Sequence, residues 1–416
     1  MQAAEQWELV QEEPRYDDDG FRRHERSIPS AARRAAVVAH HARQEQRWEQ
    51  QERYLSGEAP LSARRHVLTR LVRGGVPSSR RGEVWPMLLY ADALRGAESP
   101  SYFRDILDNA YAAAHSAAAE RQIEMDVRRT FPTHRSIGTA DGAASLRSVL
   151  VAYARRNPAV GYVQGMGFLA ALPLIFTADA EAAFWCLCAI VEHRLPPDYY
   201  TADIAGARAE IRAFAELVDA ELPALSAHML AHGVVAELFA PRWFVALFAP
   251  TLPIQTTLRV WDAFCLDGLA AIHRVGLALL RIVEGPLLAC DSQAAILLTM
   301  QREHARCHDV DRLFQLAFDG ARLFLPRVPR ARLEVLRAKA RQIVAQEGSA
   351  ADGSRADEGR APEGAADGAA ADPPDGVTDG ARPWVGWGDR PGADEWYELV
   401  SHDDCPEEEE CAPGGA

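Results

Sequence analysis

The stretch Ile123-x-x-Asp126-x-x-Arg129-Thr130-Phe131-Pro132 reads as the last turns of a helix and the break that follows. Ile123, Val127 and the good helix formers around them predict a helix over 118–129. Asp126 then lies three residues before Arg129 on one face, where it can brace the guanidinium. Pro132 pushes the residue before it out of the α region. Thr130-Phe131-Pro132 therefore ends the helix and leaves Arg129 projecting outward.

Arg129 is followed 35 residues later by Gln164, within Gly161-Tyr162-Val163-Gln164-Gly165-Met166. The run before it is helical, because Leu146, Val149, Leu150 and Tyr153 recur at i, i+3, i+4 and i+7. Asn157-Pro158 stops that helix. Gly161, Gly165 and Gly167 bracket Gln164 with residues that let another backbone or a ligand come close, and the apolar run Phe168 to Phe176 starts a buried helix. Taken alone, Arg129 also reads as a helix-end cation meeting the dipole, since Lys339 is the single lysine among 45 basic residues and arginine is this chain's default cation. Gln164 alone also reads as a turn residue. Together they offer what a protein would lend to a GTP-hydrolysing partner: a cation for phosphate charge and an amide to position water.

Helical periodicity dominates outward from these motifs. Val67, Leu68, Leu71 and Val72 form a stripe closed by Gly74 and Gly75, and Ala182 to Val191 is nearly continuous buried helix. The stretches 204–218, 271–284, 310–318 and 329–345 also read as helices between Pro, Gly or Asp punctuation. Alternating β-type runs are scarce, so the expected fold is all-α. Residues 31–56 read as one long helix rich in Arg, Gln and Glu whose thin apolar face, Val37, Val38 and Trp48, docks on the body or meets another protein.

The motifs, in order, resemble the TBC-domain GTPase-activating proteins for Rab GTPases. The resemblance begins at Gly75-Val76-Pro77 and Arg81-Gly82-Glu83-Val84-Trp85 and continues through Ile123-x-x-Asp126-x-x-Arg129 and Tyr162-x-Gln164. It closes with Trp243-Phe244 and Val260-Trp261-Asp262 ahead of Gly268. It implies an all-α, TBC-type multi-helix domain of two helical subdomains. It also implies a dual-finger mechanism in trans, with Arg129 neutralising charge on the β and γ phosphates of Rab-bound GTP and Gln164 orienting the water. The chain would then be no enzyme on a substrate of its own, but an activator of a Rab that regulates vesicle trafficking. Ile123, Asp126, Thr130, Phe131, Tyr162 and Gly165 are expected to support the two fingers, Asp126 as a brace and Tyr162 and Phe131 by packing. Trp85, Trp243 and Trp261 are expected in the core. The alternative is a non-catalytic Rab-binding scaffold of the same fold.

Other chemistries lack their minimal parts. A P-loop needs a lysine after its glycine-rich turn, and Lys339 has no such glycines. There is no Gly-x-Ser-x-Gly elbow and no His-Glu-x-x-His. His304, Cys307 and His308 have no second half at zinc spacing, so no metal is expected. No cofactor is expected either: GTP and Mg would arrive with the partner GTPase, and no nucleic-acid partner is indicated. Seven cysteines, with Cys186, Cys188, Cys265 and Cys290 in apolar surroundings, fit a reducing compartment. No secretory leader, membrane span or prenylation box is read, so the expected location is cytoplasmic with peripheral recruitment to endomembranes.

Composition divides the chain. Residues 348–416 hold 18 acidic and 4 basic residues, a net of −14 that equals the charge of the whole chain, so the rest balances to zero. That segment is too poor in apolar residues to fold alone. The expected organisation is 1–30 disordered, 31–60 a helical extension, 62–290 the TBC domain, 291–347 helices completing the body, and 348–416 a disordered acidic tail. Within the tail, Asp394-Glu395-Trp396-Tyr397-Glu398-Leu399 resembles the acidic strands that ubiquitin-like autophagy adaptors accept, Trp396 and Leu399 filling two pockets.

Overall fold

The computed structural model describes residues 16–22, 42–51, 61–201, 203–318 and 330–358. Among them there is no strand, and the one β feature is an antiparallel bridge between Tyr16 and Arg22. Helix α1 covers 42–51. It is followed by α2 (Leu61–Gly74), α3 (Ser78–Leu89), α4 (Ala91–Gly96), α5 (Tyr102–Asp108), α6 (Ala110–Val127), α7 (Ala140–Arg156), α8 (Met166–Thr177) and α9 (Ala180–Ala189). After a π-helical turn at Ile190–Arg194 come α10 (Ala205–Glu221), α11 (Pro223–Ala231), α12 (Ala236–Phe239), α13 (Pro241–Val245) and α14 (Ile254–Asp267). The remaining helices are α15 (Leu269–Leu288), α16 (Gln293–Ala305), α17 (Val310–Phe318) and α18 (Arg330–Glu358).

The expected helical fold is what the chain adopts. The described helices up to Gln346 belong to one compact unit, and a second unit begins at Glu347. Within the first, α3 to α9 pack mainly among themselves, with α7, α8 and α9 central. A second group, α10 to α17, is built on α10 and α15. Helix α14 joins the two by packing on α2 and α3 as well as on α15.

That junction has a polar heart. Asp262 of α14 is fully buried and accepts from Arg81 Nε at 3.0 Å, Arg81 Nη2 at 3.2 Å, Trp85 Nε1 at 2.9 Å and the Val76 backbone N–H at 3.0 Å. A buried carboxylate is tolerable only when paired and hydrogen-bonded, and these four donors satisfy it. Around it, the rings of Trp85 and Trp261 lie 5.7 Å apart. Trp243 stacks on Phe248 in the second group. All three tryptophans are core residues, as expected.

The N-terminal regions hold one contact that the sequence offered and one that it did not announce. In α1, Trp48 is buried and donates to the Gly75 carbonyl at 2.9 Å, so this part of the extension docks on the body; Val37 and Val38 lie outside the described residues. Further upstream, inside the segment expected to be disordered, Tyr16–Arg22 forms a tight hook. The Asp17 carboxylate accepts from the Phe21 N–H at 2.8 Å, the Gly20 N–H donates to the Asp17 carbonyl at 3.0 Å, and Gly20 turns the chain at φ +92°. Asp at the start of a turn and Gly at its left-handed position are the residues such a turn needs.

At the other end, α18 lies along α10 with Ala340 and Val344 against Ala209 and Ala213. It continues to Glu358, past Gly348, where disorder was expected to begin. Alanine and charged residues between 349 and 358 retain the propensity to carry a helix on.

Candidate functional site

Helix α6 ends two residues before Arg129, at Val127, and not at Arg129 itself. Its last turn closes through the Arg129 N–H to the Asp126 carbonyl at 3.0 Å and the Thr130 hydroxyl to the same carbonyl at 2.9 Å. Ile123 is wholly buried and anchors the helix end, while Arg129 is exposed in the following turn. The outward projection read from the residues is therefore what the structure has.

Phe131 takes φ +46°, a left-handed conformation uncommon for a non-glycine residue. Such a residue costs on the order of 1–3 kcal/mol and persists only where its surroundings over-determine it. The surroundings here are rings: Phe168 of α8 meets Phe131 edge-on at 5.1 Å and Phe21 of the hook meets it at 5.3 Å.

Helix α7, which leads to the glutamine turn, lies against α6. Arg155 bonds Glu120 at 2.9 Å, and Arg147 pairs with Glu124 and Glu120, so ion pairs zip the two helices along their length. Leu146, Val149, Leu150 and Tyr153 form the buried stripe of α7. Asn157 caps it, and its carbonyl accepts the Gly161 N–H at 2.8 Å, folding the chain back toward Gln164. Gly165 has φ +104°, a position that only glycine adopts without strain, and it starts α8. Gln164 is half-buried in the turn just before it.

Two contacts bind the arginine turn to the glutamine turn. Tyr162, two residues before Gln164, donates its hydroxyl to Asp126 Oδ2 at 2.9 Å. A Cβ on Gly167 would meet Thr130 Oγ1 at 2.6 Å, so the absence of a side chain there is what lets the two turns touch. Asp126 thus braces the tyrosine directly. Burial pushes its carboxyl above the usual range, and the Tyr162 hydrogen bond and the charge of Arg129 draw it back down. Asp126 was expected to brace Arg129; in the structure its carboxylate accepts from Tyr162, and Arg129 acts on it through charge, so Tyr162 is more than a packing residue.

Of the residues singled out, Ile123, Asp126, Arg129, Thr130, Phe131, Tyr162, Gln164 and Gly165 fall in this one region. Trp396 and Leu399 lie outside the described residues. Among the described residues no group of three or more His, Cys, Asp or Glu is placed to hold a metal. His304 is instead a buried ring beside Trp243 at 5.2 Å. No described helix is long and apolar enough to cross a membrane. What the motifs left unseen is the hook, whose turn residues Asp17 and Gly20 were the available signal.

The helical architecture has counterparts among known proteins. The Rab-GTPase-TBC domain family matches residues 78–288, and the chain belongs to that family. It is similar to TBC1 domain family member 2A of Mus musculus, 36% identical over 282 residues that make up 67% of this chain and 30% of that protein. A TBC domain-containing protein of Schizosaccharomyces pombe is 34% identical over 56% of this chain and 29% of its own length. This chain thus spans less than a third of the length of these relatives. Among solved structures, the Chlamydomonas flagellar RabGAP TBC domain superposes with a TM-score of 0.62 at 29% identity, covering 73% of this chain and 98% of that one. The Ypt/Rab-GAP domain of Gyp1p shares the fold at a TM-score of 0.55 and 22% identity, over 66% of this chain and 98% of its own.

Proposed function

We propose that this chain accelerates GTP hydrolysis on a Rab-family small GTPase and thereby regulates vesicle trafficking. Arg129 neutralises charge building on the β and γ phosphates, and Gln164 orients the attacking water. GTP and Mg arrive with the Rab, and recruitment to endomembranes comes through that partner. The domain that does this runs over 62–290, with helices in 291–347 completing the body.

The observation that carries the reading is the Tyr162–Asp126 hydrogen bond, 2.9 Å long, because it ties an exposed guanidinium turn to a carboxamide turn 35 residues away in sequence. A lone surface arginine needs no such fixture. Supporting it, the mouse relative and the Chlamydomonas structure carry TBC and RabGAP in their names. An arginine finger supplies about 10³ to 10⁵ in rate, or roughly 4 to 7 kcal/mol off the barrier.

A phosphate-release assay over a Rab panel tests the proposal. On a responsive Rab, Arg129→Ala removes nearly all acceleration and Gln164→Ala most of it. Equal rates for the native chain and both variants overturn the finger assignment, and binding without acceleration on every Rab indicates a scaffold.

A further inference from the structure

We infer that the hook Asp17–Phe21 is a positioning clasp that holds the arginine turn in the geometry Arg129 needs, an inference that rests on the proposed role of Arg129. The hook lies more than a hundred residues upstream of Arg129 and outside the matched domain, which begins at residue 78. Nevertheless its contacts converge on the segment directly after the finger.

Three kinds of contact meet there. The buried Phe21 ring packs edge-on against Phe131 at 5.3 Å and against His134 at 4.6 Å. The backbone is bonded as well, the Arg135 N–H donating to the Gly20 carbonyl at 3.0 Å. His134 supplies the third. Its Nδ1 accepts the backbone N–H groups of Ser136 and Ile137, both at 3.2 Å, so the neutral ring carries its proton on Nε2 and donates it to the Asp19 carbonyl at 2.9 Å. One imidazole thus closes the loop on itself and fastens it to the hook.

The fit excludes alternatives at Gly20, where a Cβ would lie 2.9 Å from His134 Nε2 and 3.0 Å from Arg135 Cγ. On its far side the hook is moored to α14, since Gln255 Nε2 reaches Asp17 Oδ2 at 3.2 Å and Asp19 Oδ2 at 3.1 Å. The clasp therefore spans from α14 to the finger turn. Because Phe131 is held in a left-handed conformation two residues after Arg129, the direction of the guanidinium depends on what keeps that ring in place. The clasp supplies one of its two walls and Phe168 the other.

The test uses the full chain with a responsive Rab, comparing native, Phe21→Ala, Phe21→Leu and Arg129→Ala. Single-turnover rates at saturating chain are read beside affinity for the Rab loaded with a non-hydrolysable GTP analogue or with GDP and aluminium fluoride. Phe21→Ala is expected to slow the saturated rate about tenfold to hundredfold and to weaken the aluminium fluoride complex by a similar factor. Affinity for the GTP-analogue form stays within about twofold, and Phe21→Leu, which keeps apolar bulk, recovers much of the rate. A saturated rate equal to native overturns the clasp, as does an equal loss in both affinities, which marks a merely structural residue. If the native chain and Arg129→Ala behave alike, the role of Arg129 has failed. Amide exchange at Arg135 separates the two failures, because Phe21→Ala raises it if the clasp exists and leaves it unchanged if it does not.

Discussion

The Tyr162 hydroxyl donates a hydrogen bond to Asp126, and a buried carboxylate depends on such a donor. In Tyr162→Phe the ring still packs but the carboxylate loses that partner, which costs about 1–3 kcal/mol. The pH dependence follows from the raised Asp126 pKa. A carboxyl whose folded pKa lies above its unfolded value binds more protons in the native state, so its contribution to stability falls as pH rises from 3.8 through the folded value. Removing the donor raises the folded value further. Urea midpoints of Tyr162→Phe should therefore trail native more at pH 7 than at pH 4, and an equal gap at both would contradict this role. The sequence showed both residues as members of two motifs, but not the bond between them. A hydroxyl and a carboxylate 36 residues apart leave no periodic trace.

Among elements, helices with a regular apolar stripe were the most legible. The stretch 204–218 became Ala205–Glu221 and 271–284 became Leu269–Leu288, because one buried face repeats through each. Helix ends were less so, since Arg129 falls two residues beyond α6 in a turn shaped by Thr130 and Phe131. Least legible were contacts between distant elements. Arg81 and Trp85 of α3 meet Asp262 of α14 across 181 and 177 residues, and the sequence offered the tryptophan as core without naming its polar partner. The hook was missed for the same reason: seven residues are too few for periodicity, and its ring contacts appear only once the arginine turn has folded. At this scale Asp262→Asn should be severe, as it leaves Arg81, 4% exposed, buried without a carboxylate. The expected loss is about 3–5 kcal/mol, read as a lowered thermal midpoint. A shift under about 1 kcal/mol would show that the junction of α3 and α14 does not hold the two helix groups together.

For the molecule as a whole, buried histidines set the acid limit. Burial holds His273 and His304 down to about 3, and it also lowers His134, whose partners include the hook. A histidine with a depressed folded pKa binds fewer protons in the native state, so its stabilisation is complete above 6.5 and is lost as pH falls below that toward the folded value. Each contributes up to about 1.4 kcal/mol per pH unit in that range. Glu210, packed against His273 and bonded to Arg337, has a raised pKa from burial and opposes the trend between its ordinary 4.5 and that raised value. Denaturation midpoints should thus decline from pH 6.5 to 5.5, and a flat profile there would mean that these rings are solvated.

The proposed role of Gln164 is that its carboxamide, and not one from the GTPase, orients the water. It is tested most directly with a responsive Rab whose own catalytic glutamine has been changed to leucine, measuring single-turnover GTP hydrolysis with native chain and with Gln164→Ala. The native chain should still accelerate this Rab, and Gln164→Ala should not. Loss of acceleration by the native chain, or equal acceleration by both, would contradict it.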